Sequence, residues 1–236
     1  MKRLLMLLTL LVFPLALGMN GFAAPIPIQA GDLIQFNDLP DSENALLPPY
    51  NNARGGAYKA SSPDSPAKWD EFITFCLESN ESLTFGTDFE VGGISREAMR
   101  GGAGGQDTQT GDTLDSFSAW LYTQALHDVF YSDKLDYVQY AIWNREGEII
   151  PSDWGNLDPL IQQFYDEQVD NFENSNWIGL GNIRVLNIVT VNPGIPSQDV
   201  LVEVSPIPEP ATMLLLGAGL IGLVGVGRTK LFKRGN

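Results

Sequence analysis

Cys76 is the only cysteine in the 236-residue chain, and Gln139 is a glutamine placed where the pattern asks for an apolar side chain. In the segment Phe72-Ile73-Thr74-Phe75-Cys76-Leu77, a period of two puts Ile73, Phe75 and Leu77 on one strand face. Cys76 shares the other face with Thr74 and Phe72. Further along, Leu135, Val138, Gln139, Ile142 and Trp143 fall at helical spacing and form an inward stripe with one polar member at its centre. A buried primary amide without partners costs on the order of 1–3 kcal/mol. Gln139 is therefore either satisfied by hydrogen bonds or consumed by a reaction, and the nearest reactive group of suitable chemistry is a thiol. Gln124, on the stripe of Phe117, Trp120 and Leu121, is a second candidate amide.

Other chemistries are poorly supplied. The chain contains no Gly-x-Ser-x-Gly, no His-Glu-x-x-His, no Walker loop and no EF-hand loop. His127 is the only imidazole, and it sits between Leu126 and Asp128 with nothing in the sequence to orient it against Cys76. One cysteine and one histidine fall short of the roughly four ligands of a structural zinc site, and a lone cysteine forms no intramolecular disulfide. Asp128, Asp133 and Asp136 read as helix caps and a solvated acidic face before they read as a calcium site. The carboxylate pairs Glu71 with Glu78 and Asp166 with Asp170 likewise read as solvated faces. No cofactor, no metal and no turnover catalysis are expected.

The Cys–Gln constellation resembles the thioester domains of bacterial surface adhesins. In that family an aromatic-Cys-aliphatic strand faces a Gln-x-x-aliphatic-Trp helix. Phe75-Cys76-Leu77 matches the first half and Gln139-Tyr140-Ala141-Ile142-Trp143 the second. Val138 departs from the threonine that usually precedes the glutamine. The resemblance implies that the thiol displaces ammonia from the amide, leaving an electrophilic carbonyl that acylates an amine or hydroxyl once. The competing reading is a free buried cysteine beside a hydrogen-bonded core glutamine.

The elements that would position this pair lie in a body of about 180 residues, enough for one domain with its own core. Short strands are expected over residues 32–37 and 58–61, around a Pro/Asn/Gly-rich loop at 47–56, and again over 71–78 and 82–90. Residues 101–105 and the stretch to 112 form a glycine-rich loop. Three amphipathic helices are expected over 115–131, 132–146 and 157–172, and strands return over 183–191 and 200–204. The fold class is α+β, with strands at both ends around a helical middle.

The ends give the compartment. Met1-Lys2-Arg3, the apolar run 4–17 and the small residues up to Ala24 have the order of a secretory signal peptide. The predicted division is a signal peptide over 1–24, a domain over 25–205 and a C-terminal segment over 206–236. Acids outnumber bases 29 to 14, for a net charge of −15, and the bases cluster terminally: only eight lie between residues 24 and 205, against 28 acids, a balance of −20. A phosphate backbone would repel such a body, which excludes nucleic acid as a partner.

The C-terminal segment holds Pro208-Glu209-Pro210, then an uncharged run over 211–226, then Arg228, Lys230, Lys233 and Arg234. The run is 16 residues, shorter than the ~20 of a full helical span, and basic residues after it favour a cytoplasmic end. This tripartite pattern resembles the PEP-CTERM sorting signal. The resemblance implies recognition by an exosortase in the inner membrane of a Gram-negative bacterium, transient anchoring there, removal of the tail, and delivery to the cell surface or an exopolysaccharide-rich matrix. Two function classes follow: a thioester adhesin, or a noncovalent polysaccharide-binding or structural matrix protein using Trp69, Trp120, Trp154 and Trp177. If an enzyme reads the Pro-Glu-Pro motif, deleting Pro208, Glu209 and Pro210 while keeping the apolar run should strand the protein in the inner membrane. Fractionation checks this, and normal release of the deletion variant overturns it.

Overall fold

The computed structural model describes residues 26–39, 57–81, 83–100, 111–149 and 151–204. The signal peptide, the 47–56 loop, most of the glycine-rich loop and the sorting segment expected from the sequence lie outside those residues. Among the described residues no helix is long and apolar enough to cross a membrane.

Six strands form one sheet: β1 (Leu33–Asp38), β2 (Tyr58–Ser61), β3 (Phe72–Thr74), β4 (Phe89–Ser95), β5 (Ile183–Thr190) and β6 (Val200–Glu203), in the order β3-β2-β1-β4-β5-β6. Every neighbouring pair is antiparallel. Just past β3, Cys76 stands opposite Val200 at the start of β6. The Leu77 N–H donates to the Asp199 carbonyl at 3.0 Å and the Leu201 N–H to the Phe75 carbonyl at 3.1 Å. These bonds join the two outer strands and close the sheet into a barrel, so neither outer edge is left open along that seam.

Between β4 and β5 run α1 (Ser116–His127), a 3-10 turn (Val129–Tyr131), α2 (Leu135–Arg145), the single turn α3 (Pro151–Trp154) and α4 (Pro159–Glu173). The α+β arrangement with strands flanking a helical middle is thus present. Asp115 caps α1, its side chain accepting from the Phe117 N–H at 2.7 Å, and Asp158 caps α4 ahead of Pro159, accepting from the Leu160 N–H. The sequence reading differs most at the fourth strand. It expected a strand over 82–90, whereas β4 begins at Phe89 and runs through Gly92 and Gly93. Those glycines look like breakers in sequence, yet they serve a bulge: the β4–β5 register shifts between Val91 and Gly93. A Cβ on Gly92 would lie 3.0 Å from Val189 Cγ1, so the close strand contact favours glycine there.

The two sheet faces bury different cores. Ile34, Phe36, Ala60, Phe89, Val91, Leu186, Ile188, Val200 and Val202 fill the barrel. On the outer face, Phe75, Leu77, Ile183, Val185 and Leu201 meet the helices. Phe117 is fully buried there, with ring contacts to Trp120, Tyr165 and Phe172. Removing such a ring leaves a cavity the neighbours only partly fill, so Phe117→Ala should cost about 3–5 kcal/mol. Denaturant unfolding measures this, and a loss below about 1 kcal/mol would show that the helical layer repacks freely.

Candidate functional site

A third apolar cluster gathers Tyr58, Cys76, Tyr140, Trp143, Ile149, Leu157 and Ile161, and the thiol lies inside it with its residue 5% exposed. The sequence put Cys76 on the second strand face, where it need not lie in the deepest core. The structure instead buries it where the barrel closes and α2 crosses.

Gln139 meets Cys76, and the contact is to its backbone. Phe75 and Leu77 direct their hydrogen bonds toward β6, so the N–H and C=O of Cys76 face the opposite edge. On that edge the β2–β3 pairing runs only as far as Tyr58 with Thr74. The Gln139 carboxamide pairs with Cys76 as a strand residue would: the Cys76 N–H donates to Oε1 at 2.9 Å, and Nε2 donates to the Cys76 carbonyl at 2.7 Å. The side chain is fully buried and both of its polar atoms are used. Gln124, the reserve glutamine, is only partly buried near the C-terminal end of α1, and it is not the amide bonded to Cys76.

A second buried amide lies across the seam. The bonds on either side of Cys76 and Val200 make them a close, non-hydrogen-bonded antiparallel pair, whose side chains share one face. Beyond this isolated pair the chain leaves the strand on both sides, and Gln198 reaches across the seam to Glu78. Its Nε2 donates to the Glu78 carbonyl at 2.8 Å and to Glu78 Oε2 at 2.9 Å.

Glu78 overturns its expected place on a solvated face: it is 2% exposed. Its Oε2 also accepts from the Asp199 N–H at 3.2 Å, and Oε1 is buried without a hydrogen-bond partner among the described residues. Glu71, its supposed partner, is at the surface in an ion pair with Lys59. Sequence reasoning missed Gln198, Asp199 and the burial of Glu78. The signal for Glu78 was present in the period of two, since it shares its face with Thr74 and Cys76. Nothing in Pro196-Ser197-Gln198 announced that this loop would seal the barrel.

The remaining candidates separate from the pair. His127 is exposed and sits 3.0 Å from Glu203. Asp128 caps the 3-10 turn through the Phe130 N–H, and Asp133 pairs with Lys134. Among the described residues, no group of three or more His, Cys, Asp or Glu is placed to hold a metal ion. Trp69 and Trp120 are buried and offer no face to a sugar, while Trp154 and Trp177 are partly exposed.

Compared with known families, residues 206–228 match the PEP-CTERM protein-sorting motif. That match covers the Pro-Glu-Pro sequence and the apolar run, and it marks the chain for export and exosortase processing. No curated protein and no solved structure matches the chain.

Burial sets the electrostatics of the site. It pushes the Cys76 thiol well above its ordinary value, the charge of Glu78 adds to this, and a Tyr58 hydrogen bond opposes it. Burial also raises Glu78, helped by the charges of Asp199 and Glu81. It pushes Glu81 up to about 7, with Asp199 adding and Arg100 opposing, and Asp199 itself up to about 6. Glu146, behind α2, is likewise pushed up to about 7 by burial. Each group holds a proton in the folded state that the unfolded chain has released. The stability that Glu81, Glu146 and Asp199 contribute is complete below about pH 4 and is lost as pH rises through 6 to 7. Asp133, held low by Lys134, acts only on the acid side. The melting temperature should therefore be higher at pH 5 than at pH 8, and Glu146→Gln should flatten the difference. Calorimetry across that range checks it, and a protein no less stable at pH 8 overturns it.

Proposed function

We propose that the protein is an exported surface or extracellular-matrix adhesin, processed by an exosortase, whose body forms an internal thioester at Cys76. The observation that carries this reading is the meeting of a buried lone cysteine and a buried glutamine amide, Gln139, where the barrel closes. An exported chain that keeps one cysteine must shield it from oxidation or use it. Burial of Cys76 does the first, and an adjacent carboxamide supplies the means for the second. The product would be a single-use electrophile able to acylate an amine or hydroxyl on a surface or matrix partner. It would be a covalent tether without turnover.

The sequence pairs Cys76 with Gln139. Both polar atoms of Gln139 are held by the Cys76 backbone, which aligns this amide beside the cysteine. The noncovalent alternative, a matrix protein with a free thiol, draws support from the partly exposed Trp154 and Trp177.

Intact mass distinguishes these readings. A thioester leaves the protein one ammonia short of its sequence mass, with a thiol unreactive even after denaturation unless the bond is first opened. Methylamine restores a titratable thiol and marks the acyl glutamine as its methylamide, which peptide mapping should place on Gln139. A label on another glutamine moves the chemistry away from the pair read from the sequence. Cys76→Ala should abolish the mass deficit. A full-mass protein whose Cys76 titrates in the native state establishes the noncovalent reading.

A further inference from the structure

We propose that the loop over residues 174–182 is the membrane-facing end of the body: while the sorting tail still anchors the chain, Trp177 and Ile178 rest in the headgroup layer of the inner membrane. This rests on the reading of residues 211–226 as a transient anchor, and it is independent of the thioester.

The loop lies where the chain leaves the body. It joins α4 to β5, and β5 pairs antiparallel with β6, so that Ile183 at the start of one stands opposite Glu203 at the end of the other. The Val204 N–H then donates to the Asn182 carbonyl at 3.0 Å. Ile26, the first described residue, bridges to Val204, the last, so both ends of the described chain meet beside this loop. Beyond Val204, six residues, three of them proline, precede the apolar run that begins at Ala211. Fully extended, the chain from Val204 to Ala211 reaches at most about 25 Å. A body of about 180 residues is about 40 Å across. The tether is thus shorter than the body it holds, and the end carrying Val204 stays near the bilayer surface. Ile178 is four residues from Asn182, within about 14 Å of that point of exit.

The loop has the composition that such a position requires. In a body with 28 acids, residues 174–182 carry no charged side chain. Ile178 is 90% exposed, the most exposed of the large apolar side chains among the described residues. Beside it Trp177 is partly exposed, and its indole N–H donates to the Gly179 carbonyl at 2.7 Å. With that donor satisfied inside the loop, the ring meets lipid without an unpaired polar group. Indole rings favour the headgroup region, where an amphipathic ring sits between water and hydrocarbon. The loop is also held in shape. Ser175 Oγ accepts from the Trp177 N–H at 3.1 Å and donates to the Phe172 carbonyl at 2.7 Å. The indole covers Gly181, where a Cβ would stand 2.7 Å from the ring.

Charge and size point to lipid as the occupant. A body with a balance of −20 is repelled by an anionic surface, so contact has to come from uncharged residues. The flanking charges stand back from the loop: Glu203 is paired with His127, and Arg184 turns its guanidinium to the Gly181 and Ile183 carbonyls. Two apolar side chains fall far short of the roughly 1,000 Å² that a specific protein interface buries. A body already tethered to the bilayer needs only a weak contact, because the tether supplies a high effective concentration.

The test places the full chain in vesicles of phosphatidylethanolamine and phosphatidylglycerol whose acyl chains carry bromine near the headgroups, a contact quencher of indole. Residues 1–24 and 205–236 contain no tryptophan, so the signal reports the body alone. Tryptophan emission should fall relative to unbrominated vesicles, and Trp177→Phe, which keeps a ring over Gly181, should abolish the fall. Ile178→Asp removes a side chain that the body hardly touches, so near-ultraviolet circular dichroism should remain native while the quenching drops by about half or more. Equal quenching in wild type and Trp177→Phe overturns the proposal, since another face then touches lipid. Absence of quenching in a chain that floats with the vesicles also overturns it, whether the loop is free or covered by a second copy, which sedimentation would reveal. A chain that does not float with the vesicles removes the anchor reading itself, a different result from an anchored chain whose Trp177 is out of reach of bromine.

Discussion

Everything around the site depends on how the barrel closes without a full final strand. β3 is only three residues long, and its pairing with β2 ends at Thr74, two residues short of Cys76. The backbone there would enter the core with one N–H and one C=O unpaired, a cost of about 1–3 kcal/mol for each. A side chain from another layer makes up the deficit. The Gln139 carboxamide has the same donor and acceptor as a peptide unit, and it completes the ladder from α2. Helix and barrel are thereby fixed in register at one residue, and that residue carries the only thiol.

The same solution recurs beside it with carboxylates. Ser79 gives its N–H to Glu148 at 2.8 Å, Ile188 and Met99 give theirs to Asp199, and Asp115 gives its own to Glu146. Where strands stop and loops enter the core, acidic side chains collect the orphaned backbone donors. This explains why a body of strongly negative charge spends several of its acids inside. It also explains their raised proton affinities, since each is buried among like charges, with backbone dipoles for compensation.

The periodic parts of this arrangement were legible in the sequence. The stripe containing Gln139 identified an inward amide on α2, and the alternation around Cys76 identified its strand. The first two strands, the three longer helices and the last two strands fall within a few residues of their expected places. What periodicity could not carry was pairing between distant segments. Val200 meets Cys76 through a contact spanning more than half the domain, and no local pattern encodes which strand closes a barrel. Glu78 was misplaced for the same reason: charge suggested solvent, and only the cross-strand neighbours Gln198 and Asp199 make its burial tolerable. Gly92 and Gly93 concealed β4, because a bulge and a break look alike without the opposing strand.

Burial gives the thiol two opposed properties. It excludes oxidants, which suits a cysteine carried beyond the cytoplasm, and it raises the proton affinity until almost no thiolate exists near neutral pH. A thiol so protected is also a poor nucleophile, so a reaction at Cys76 cannot rely on spontaneous ionisation. It needs an acceptor for the proton inside the same dry space, along with an electrophile held against the sulfur by the fold. The fold holds one carboxamide, that of Gln139, against the cysteine through its backbone N–H and C=O. Because Gln139 meets Cys76 only when α2 has packed against the barrel, the chemistry is conditional on folding. An unfolded chain in transit through the membrane has neither the dry space nor the alignment. On this reading the electrophile arises only after the body has folded on the far side, where its targets are.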